Sequence, residues 1–237
     1  MSTIYETRGR AREYCELALN LYRGCGHHCT YCWAPAATRQ TAAAFASPTS
    51  RNGIIEQLGR DAPKWRGESR PVLLSFTSDP YQLLDVEMCL TRQAIECLHF
   101  YGLRVGILSK GGCRAMRDLD LLGEDDWFGA TLTTLDDVQA AEWEPGAAPP
   151  SERVEALAAA HAKGIPTWAS LEPVIDAEAS LDVIRQTHEI IDEYKVGVLN
   201  YVKSSIDWRR FGRDPVSLLE SLGCAYYLKH DLRTRMA

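Results

Sequence analysis

Short, nearly continuous apolar runs alternate along this chain with longer stretches in which apolar side chains return every three or four positions. The runs CELALNLY (15–22), VLLSFTS (72–78), RVGILSK (104–110), FGATLTT (128–134), PTWASLEP (166–173) and VGVLNYV (196–202) read as strands. Several are apolar at successive positions, the pattern of strands covered on both faces of a parallel sheet. The stretches between them carry helical spacing. One helix is expected to start near Ser50, and another covers 89–102 with Gly102 as its stop signal. CRAMRDLDLLG (113–123) reads as a short helix. A longer one runs from Ser151 to Gly164 and opens on a loose capping box, in which Glu155 falls one place late. SLDVIRQTHEIIDEY (180–194) reads as a helix capped by Ser180, and DPVSLLESLG (214–223) as a helix followed by a last short strand, CAYYLKH. EWEPGAAPP (142–150) is a turn-rich loop.

Six strands, each followed by a helix, predict a parallel sheet with right-handed crossovers. The expected fold is therefore α/β, a partial (β/α)6 TIM-type barrel with parallel strands, formed as a single domain over 1–237. Polar residues gather at the C-terminal ends of the strands: Ser78 and Asp79, Ser109 and Lys110, Thr131 and Thr133, Glu172, and Asn200 to Lys203. In α/β barrels that end carries the active site.

Composition narrows the field. Hydrophobic residues make up 46% and charged residues 24%, ordinary values for a globular enzyme, and the formal net charge is -6. A chain of that balance has no broad field for phosphate, so any nucleic-acid surface must be local. Two stretches interleave arginine with aromatics, PKWRGESR (63–70) and DWRRFGR (207–213). Such patches can hold phosphates and stack bases. No apolar run approaches the roughly 20 residues of a membrane span. The N-terminal MSTIYETRGRAREY lacks the apolar core of a signal peptide, so the cytoplasm is the expected compartment. There, the eight cysteines are not expected as disulfides. Cys15, Cys89, Cys97, Cys113 and Cys224 stand singly among apolar residues and read as buried small hydrophobes.

The remaining three fall in RGCGHHCTYCWAP (23–35), as Cys25, Cys29 and Cys32 in the spacing Cys-x3-Cys-x2-Cys. A structural zinc site needs four ligands. His27 or His28 would complete the count, but both are wedged inside the Cys25–Cys29 loop. A disulfide plus an odd thiol is the second reading. The third is an iron–sulfur cube bound through three irons, the fourth left open for a reactant.

CGHHCTYC resembles the CxxxCxxC signature of the radical S-adenosylmethionine (SAM) superfamily, including the aromatic Tyr31 before the last cysteine. The segments LNLYRGCGHHCTYCWAP, FTSDPYQ, ILSKGG, TLTTLD, EPGAAPPSERVEAL and GIPTWASLEPVI are similar to the spore-photoproduct-lyase-like branch of it, over roughly residues 18–200. The resemblance implies a [4Fe–4S] cluster on Cys25, Cys29 and Cys32, with SAM on the open iron and a reductase such as flavodoxin or ferredoxin as partner. It implies SAM contacts from Ser78 and Asp79 to the ammonium and from Lys110 to the carboxylate. Ser109, Thr131, Thr133 and Glu172 would reach the ribose, and the Tyr31 backbone would meet the adenine edge. His27 would be a loop residue bonding near the cluster.

One departure stands out. The branch's lyase carries a hydrogen-donating cysteine where this chain has Phe76. Photoproduct repair is therefore not expected. Cys113 is the substitute donor to test, and Tyr201 and Lys203 are the candidate substrate contacts. The expected substrate is a nucleic-acid base or modified nucleotide, in DNA, RNA or free form. A small metabolite or aminoacylated intermediate is the alternative, and a zinc-stabilised binding module the remote one.

Overall fold

A computed structural model describes residues 2–237. Its main sheet has eight strands in the order β1 (Tyr5–Glu6), β2 (Leu17–Leu19), β5 (Val72–Leu74), β6 (Val105–Ser109), β7 (Trp127–Thr131), β8 (Thr167–Leu171), β9 (Glu193–Val196) and β10 (Ala225–Leu228). Every pair from β2 to β10 is parallel, and β1 runs antiparallel to β2 at the edge. Two short strands, β3 (Tyr22–Arg23) and β4 (Thr49–Ser50), pair on their own. The helices are α1 (Ala34–Ala37), α2 (Ala42–Phe45), α3 (Ile54–Asp61), α4 (Leu83–Met88), α5 (Leu90–Phe100), α6 (Asp137–Trp143), α7 (Pro150–Ala162), α8 (Ala177–Thr187), α9 (Trp208–Leu222) and α10 (His230–Met236). This is the expected α/β partial barrel: strand and helix alternate around a largely parallel sheet. Among the described residues no helix is long and apolar enough to cross a membrane.

Two apolar clusters hold the sheet. The large one lies between strands and helices and includes Leu17, Val72, Ile107, Leu157, Ile184 and Leu219. The small one fills the barrel interior with Ala18, Leu73 and Trp168, flanked by Tyr14, Cys15, Phe76 and Leu108. Because strand side chains alternate, Leu73 faces inward while Val72 and Leu74 face the helices. The Trp168 indole N–H donates to the Ile107 carbonyl at 3.0 Å, which satisfies its one polar atom inside the barrel.

Several local expectations are corrected. Ser50 pairs with Tyr22 in the small sheet, and α3 begins only at Ile54, after Gly53 turns the chain. Ser151 is no cap: α7 starts on Pro150, and both Ser151 donors go to the Asp137 carboxylate. Ser180 sits inside α8 and donates to the Asp176 carbonyl, while Asp176 accepts the capping N–H of Ala179. The sixth strand is Glu193–Val196, not 196–202, and the preceding helix ends at Thr187. Alternation with Glu193 and Lys195 disguised that strand. The Lys195 stem is buried, its ammonium 4.8 Å from the Trp168 ring centroid. The helix expected from Asp214 starts at Trp208, capped by Asp207. All eight cysteines are free, and none of the five single ones is fully buried. Cys89 sits in a left-handed turn between α4 and α5, the Cys113 thiol meets the Glu155 carboxylate, and Cys97 lies on a half-buried position inside α5.

Candidate active site

The loop after β3 carries the three clustered cysteines. It is pinned from several sides by main-chain groups. Cys25 N–H donates to the Phe45 carbonyl, Gly26 N–H to the Gln82 amide oxygen, and Thr30 N–H to the Trp143 carbonyl. Gly146 N–H donates to His27 O at 2.9 Å. A side chain at 146 would collide, because its Cβ would fall 2.2 Å from the Gly26 carbonyl oxygen. The segment EPG therefore docks backbone to backbone on the cysteine loop.

All three thiols line one cavity of about 540 Å³ at the C-terminal end of the strands. Burial pushes the Cys25 thiol up to about 12 and the Cys29 thiol up to about 11. The positive charge of a bound metal centre would lower both. Among the described residues no group of three His, Cys, Asp or Glu side chains is placed to hold a metal ion. His27 is buried with Nδ1 3.5 Å from the Asp79 carboxylate and Nε2 facing Arg114. His28 is exposed in a left-handed turn.

Tyr31, Ser78, Asp79, Ser109, Lys110, Thr131 and Glu172 line the same cavity; Thr133 is buried outside its lining. Asp79 is saturated by protein donors. One oxygen accepts from Ser109 Oγ and Tyr81 N–H, the other from Lys110 N–H at 2.7 Å. Burial alone would raise its pKa, but these donors and His27 hold it below the usual carboxylate value. The result is a clamp that locks the end of β5 to the end of β6. Ser109 Oγ is likewise used, donating to Asp79 and accepting from Gly111 N–H. Three of these groups remain unpaired, the buried Thr133 hydroxyl outside the cavity lining among them. The Ser78 hydroxyl is buried with no hydrogen-bond partner, and no acceptor among the described residues reaches the Lys110 ammonium, which lies 5.6 Å from the Tyr31 ring centroid. Burial opposes that charge, yet Cys29 and Glu144 outweigh it and hold the Lys110 pKa above its ordinary value.

The Tyr31 hydroxyl donates to Glu144, and Glu144 pairs with Arg153, both carboxylate and guanidinium being buried. Arg153 also donates to the Ala148 and Thr131 carbonyls, so it joins the EPG loop to the end of β7. Sequence reasoning missed Glu144 and Arg153, although their segment was among those carrying the resemblance. It also missed Tyr14, Trp33, Arg8 and Arg10, all of which line the cavity. Phe76 packs between Tyr14, edge-on at 5.8 Å, and Trp33, tilted at 5.4 Å.

Of the substrate candidates, Tyr201 lines the rim and is 79% exposed, whereas Lys203 and Cys113 lie outside the lining. The two arginine–aromatic stretches lie outside it as well. Arg70 is spent on Glu68, Glu16 and Glu6, Arg66 covers Tyr101, and Phe211 is buried.

The sequence model of the Radical SAM superfamily matches residues 19–192. No curated protein sequence matches the chain. Among solved structures, Streptococcus suis SuiB bound to S-adenosylmethionine is similar, with a TM-score of 0.71 at 13% identity over 92% of this chain and 51% of that one. SuiB bound to its precursor peptide SuiA gives 0.68 at 13% identity over 92% and 50%. Spore photoproduct lyase complexed with dinucleoside spore photoproduct gives 0.69 at 15% identity over 91% and 76%. The chain thus spans about half the length of the SuiB chains it matches. Identities this low speak for the fold alone; the family match extends from the end of β2 past α8. On that match, the chain belongs to the radical SAM superfamily.

Proposed function

We propose that this radical SAM enzyme modifies or rearranges a nucleic-acid base or modified nucleotide, with Cys25, Cys29 and Cys32 holding a [4Fe–4S] cluster and SAM bound beside it. The observation that carries the cofactor reading is one cavity. It gathers three thiols, an unpaired buried hydroxyl at Ser78 and an unpaired ammonium at Lys110 at the ends of parallel strands. The Cys-x3-Cys-x2-Cys spacing inside the matched superfamily region supports a cluster bound through three thiolates. When bound, the cluster and SAM supply a 5′-deoxyadenosyl radical that takes a hydrogen atom from the substrate.

The chain's own residues bind, orient and shield. Lys110 receives a carboxylate as a charged donor, and Ser78 accepts from an ammonium. Asp79 and Ser109 keep those two strand ends in register. Arg153 and Glu144 fix Tyr31 beside the last cysteine. The Tyr14–Phe76–Trp33 wall excludes water and offers apolar faces for a base, and Arg8 at the mouth suits phosphate, whereas Arg10 is paired with Asp231. A flavodoxin or ferredoxin is the proposed electron donor.

The test is anaerobic. Purified protein is expected to be brown with about four irons per chain. Incubated with SAM, reductant and deuterated oligonucleotides, it is expected to place deuterium in 5′-deoxyadenosine. Colourless protein with one zinc would overturn the cofactor reading. Label transfer only from small metabolites would overturn the substrate reading.

A further inference from the structure

The second arginine–aromatic stretch, DWRRFGR, lies outside the cavity lining, yet a chain of contacts joins it to the mouth. It opens α9, and α9 meets α10 closely: a Cβ added at Gly212 would fall 2.3 Å from the Met236 side chain. The helix α10 is tied in turn to the cavity wall. Asp231, in its first turn, pairs with Arg10 at 2.7 Å and accepts from the Asn200 amide at 3.2 Å, and Arg10 and Asn200 both line the cavity. One turn on, Arg235 donates to the Asn200 amide oxygen at 3.3 Å and lies 5.3 Å from the Trp208 ring centroid. Arg209 donates to the Ala237 main-chain oxygen at 2.7 Å. A strip thus runs from the cavity mouth across α10 to the start of α9.

The strip is positive in a chain whose net charge is -6. Arg8 at the mouth, Arg209 and Arg235 are exposed, and none of them meets a side-chain carboxylate among the described residues. The carboxylates nearby are already held: Asp231 by Arg10 and Asn200, and Asp207 by the N–H groups of Arg209 and Arg210 that it caps. Tyr201 stands at the rim with a φ of 65° and is 79% exposed. A bulky residue is strained in that backbone region, and so exposed a ring leaves the strain uncompensated by packing.

We propose that this strip, carrying Arg8, Tyr201, Arg235, Trp208 and Arg209, binds single-stranded nucleic acid on either side of a base that enters the cavity, so that the substrate base is taken from a strand rather than from a free nucleotide. Guanidinium groups and aromatic rings interleave along it, the combination that tracks phosphates and stacks neighbouring bases. A base reaches a cavity only after leaving its stack, so the strand beside it is unpaired. An acidic protein would meet the charges and leave the Tyr201 ring unmatched. All five residues lie outside residues 19–192, the part matched by the superfamily model. The inference rests on the reading of the cavity as a site for a base.

Fluorescence anisotropy on the anaerobically reconstituted protein tests this, with labelled dodecathymidylate and dodecauridylate as probes. Phosphate tracking is indifferent to sequence, so a homopolymer suffices. At least one probe is expected to bind with an affinity that falls with salt, at a log–log slope of about -2, or about 0.7 for each phosphate met by Arg8, Arg209 and Arg235. Arg209→Gln combined with Arg235→Gln is expected to reduce the slope to about -0.7. Should that pair disturb α10 by circular dichroism, Arg8→Gln, on a separate segment, is expected to lower the slope by about 0.7 alone. Tyr201→Ala is expected to weaken binding roughly fivefold or more with the slope unchanged, as a lost stack does. Arg66→Gln, an equal loss of charge in the other arginine–aromatic stretch, is expected to change neither. Absent or salt-independent binding, or a slope that survives the arginine substitutions, overturns the proposal. Displacement of the strand by polyglutamate at equal charge overturns it too and assigns the strip to an acidic protein. Strand binding that follows these expectations without deuterium transfer from the oligonucleotide leaves the strip standing and removes the proposed reaction. Deuterium transfer from a free nucleotide without strand binding does the reverse.

Discussion

Lys110 shows how much one side chain can carry. Its main-chain N–H is spent on Asp79, while its ammonium faces the cavity beside Tyr31 with nothing to bond. An unpaired, half-buried, charged donor costs free energy that a ligand carboxylate recovers. Lys110→Ala is therefore expected to weaken SAM binding by about 1.5–3 kcal/mol, the range for hydrogen bonds to charged groups, measured by equilibrium dialysis on reconstituted protein. An unchanged affinity would remove Lys110 from the site. At this scale the sequence was informative about residue type and position, because polar residues at strand ends converge on one mouth. It was silent about partners. Nothing in FTSDPYQ says that protein donors take both oxygens of Asp79 while the neighbouring Ser78 hydroxyl is left bare.

Elements are joined at their ends by buried charge. Asp126, in the turn before β7, accepts from Val105 N–H, Gly123 N–H and the His99 ring, tying α5 to β6 and β7. Burial alone would raise its pKa, but these donors hold it below the ordinary 3.8. The sign follows: its stabilisation is complete above that ordinary value and fades as pH falls below it. Asp126→Asn is expected to cost about 1–3 kcal/mol at neutral pH and to flatten the acid limb of a urea-denaturation series. The Arg153–Glu144 pair between α6 and α7 is more sensitive. Arg153→Met leaves Glu144 buried and uncompensated, and is expected to destabilise by about 3–5 kcal/mol. Adding Glu144→Gln is expected to recover much of the loss in the same melts. Elements buried at every position and dominated by apolar or small side chains, such as Val72–Leu74 and Thr167–Leu171, were legible from the sequence. The strand at Glu193–Val196 was not, because Lys195 is buried by its stem and by aromatic rings rather than by being apolar. The helix starts were misplaced because Asp137 meets Ser151 only in three dimensions, and because Asp176, four residues ahead of Ser180, takes the capping N–H of Ala179.

The whole molecule is a barrel that does not close by strand pairing. β1 and β10 are its two edges, and the segment between β1 and β2 crosses from one to the other. Glu13 is the hub of that crossing. Its carboxylate accepts from the Tyr227 hydroxyl at 3.1 Å and from His230 N–H at 2.6 Å, and its carbonyl accepts from Lys195. Arg10 reaches Asp231 at 2.7 Å, but as a largely exposed pair it adds little. Tyr14, next in the chain, is thereby held inside the barrel against Phe76 and Glu172. If this strap is what closes the mouth, Glu13→Ala should loosen the last strand and helix without melting the first half of the sheet. Amide hydrogen exchange in β10 and α10 is expected to accelerate by roughly tenfold, the opening free energy of one lost hydrogen bond or two. Amides of β5, β6 and β7 should keep their protection. Uniform acceleration across the sheet would mean that Glu13 supports global stability rather than closure. Unchanged exchange in β10 would mean that the edges are held by packing of α9 and α10 alone.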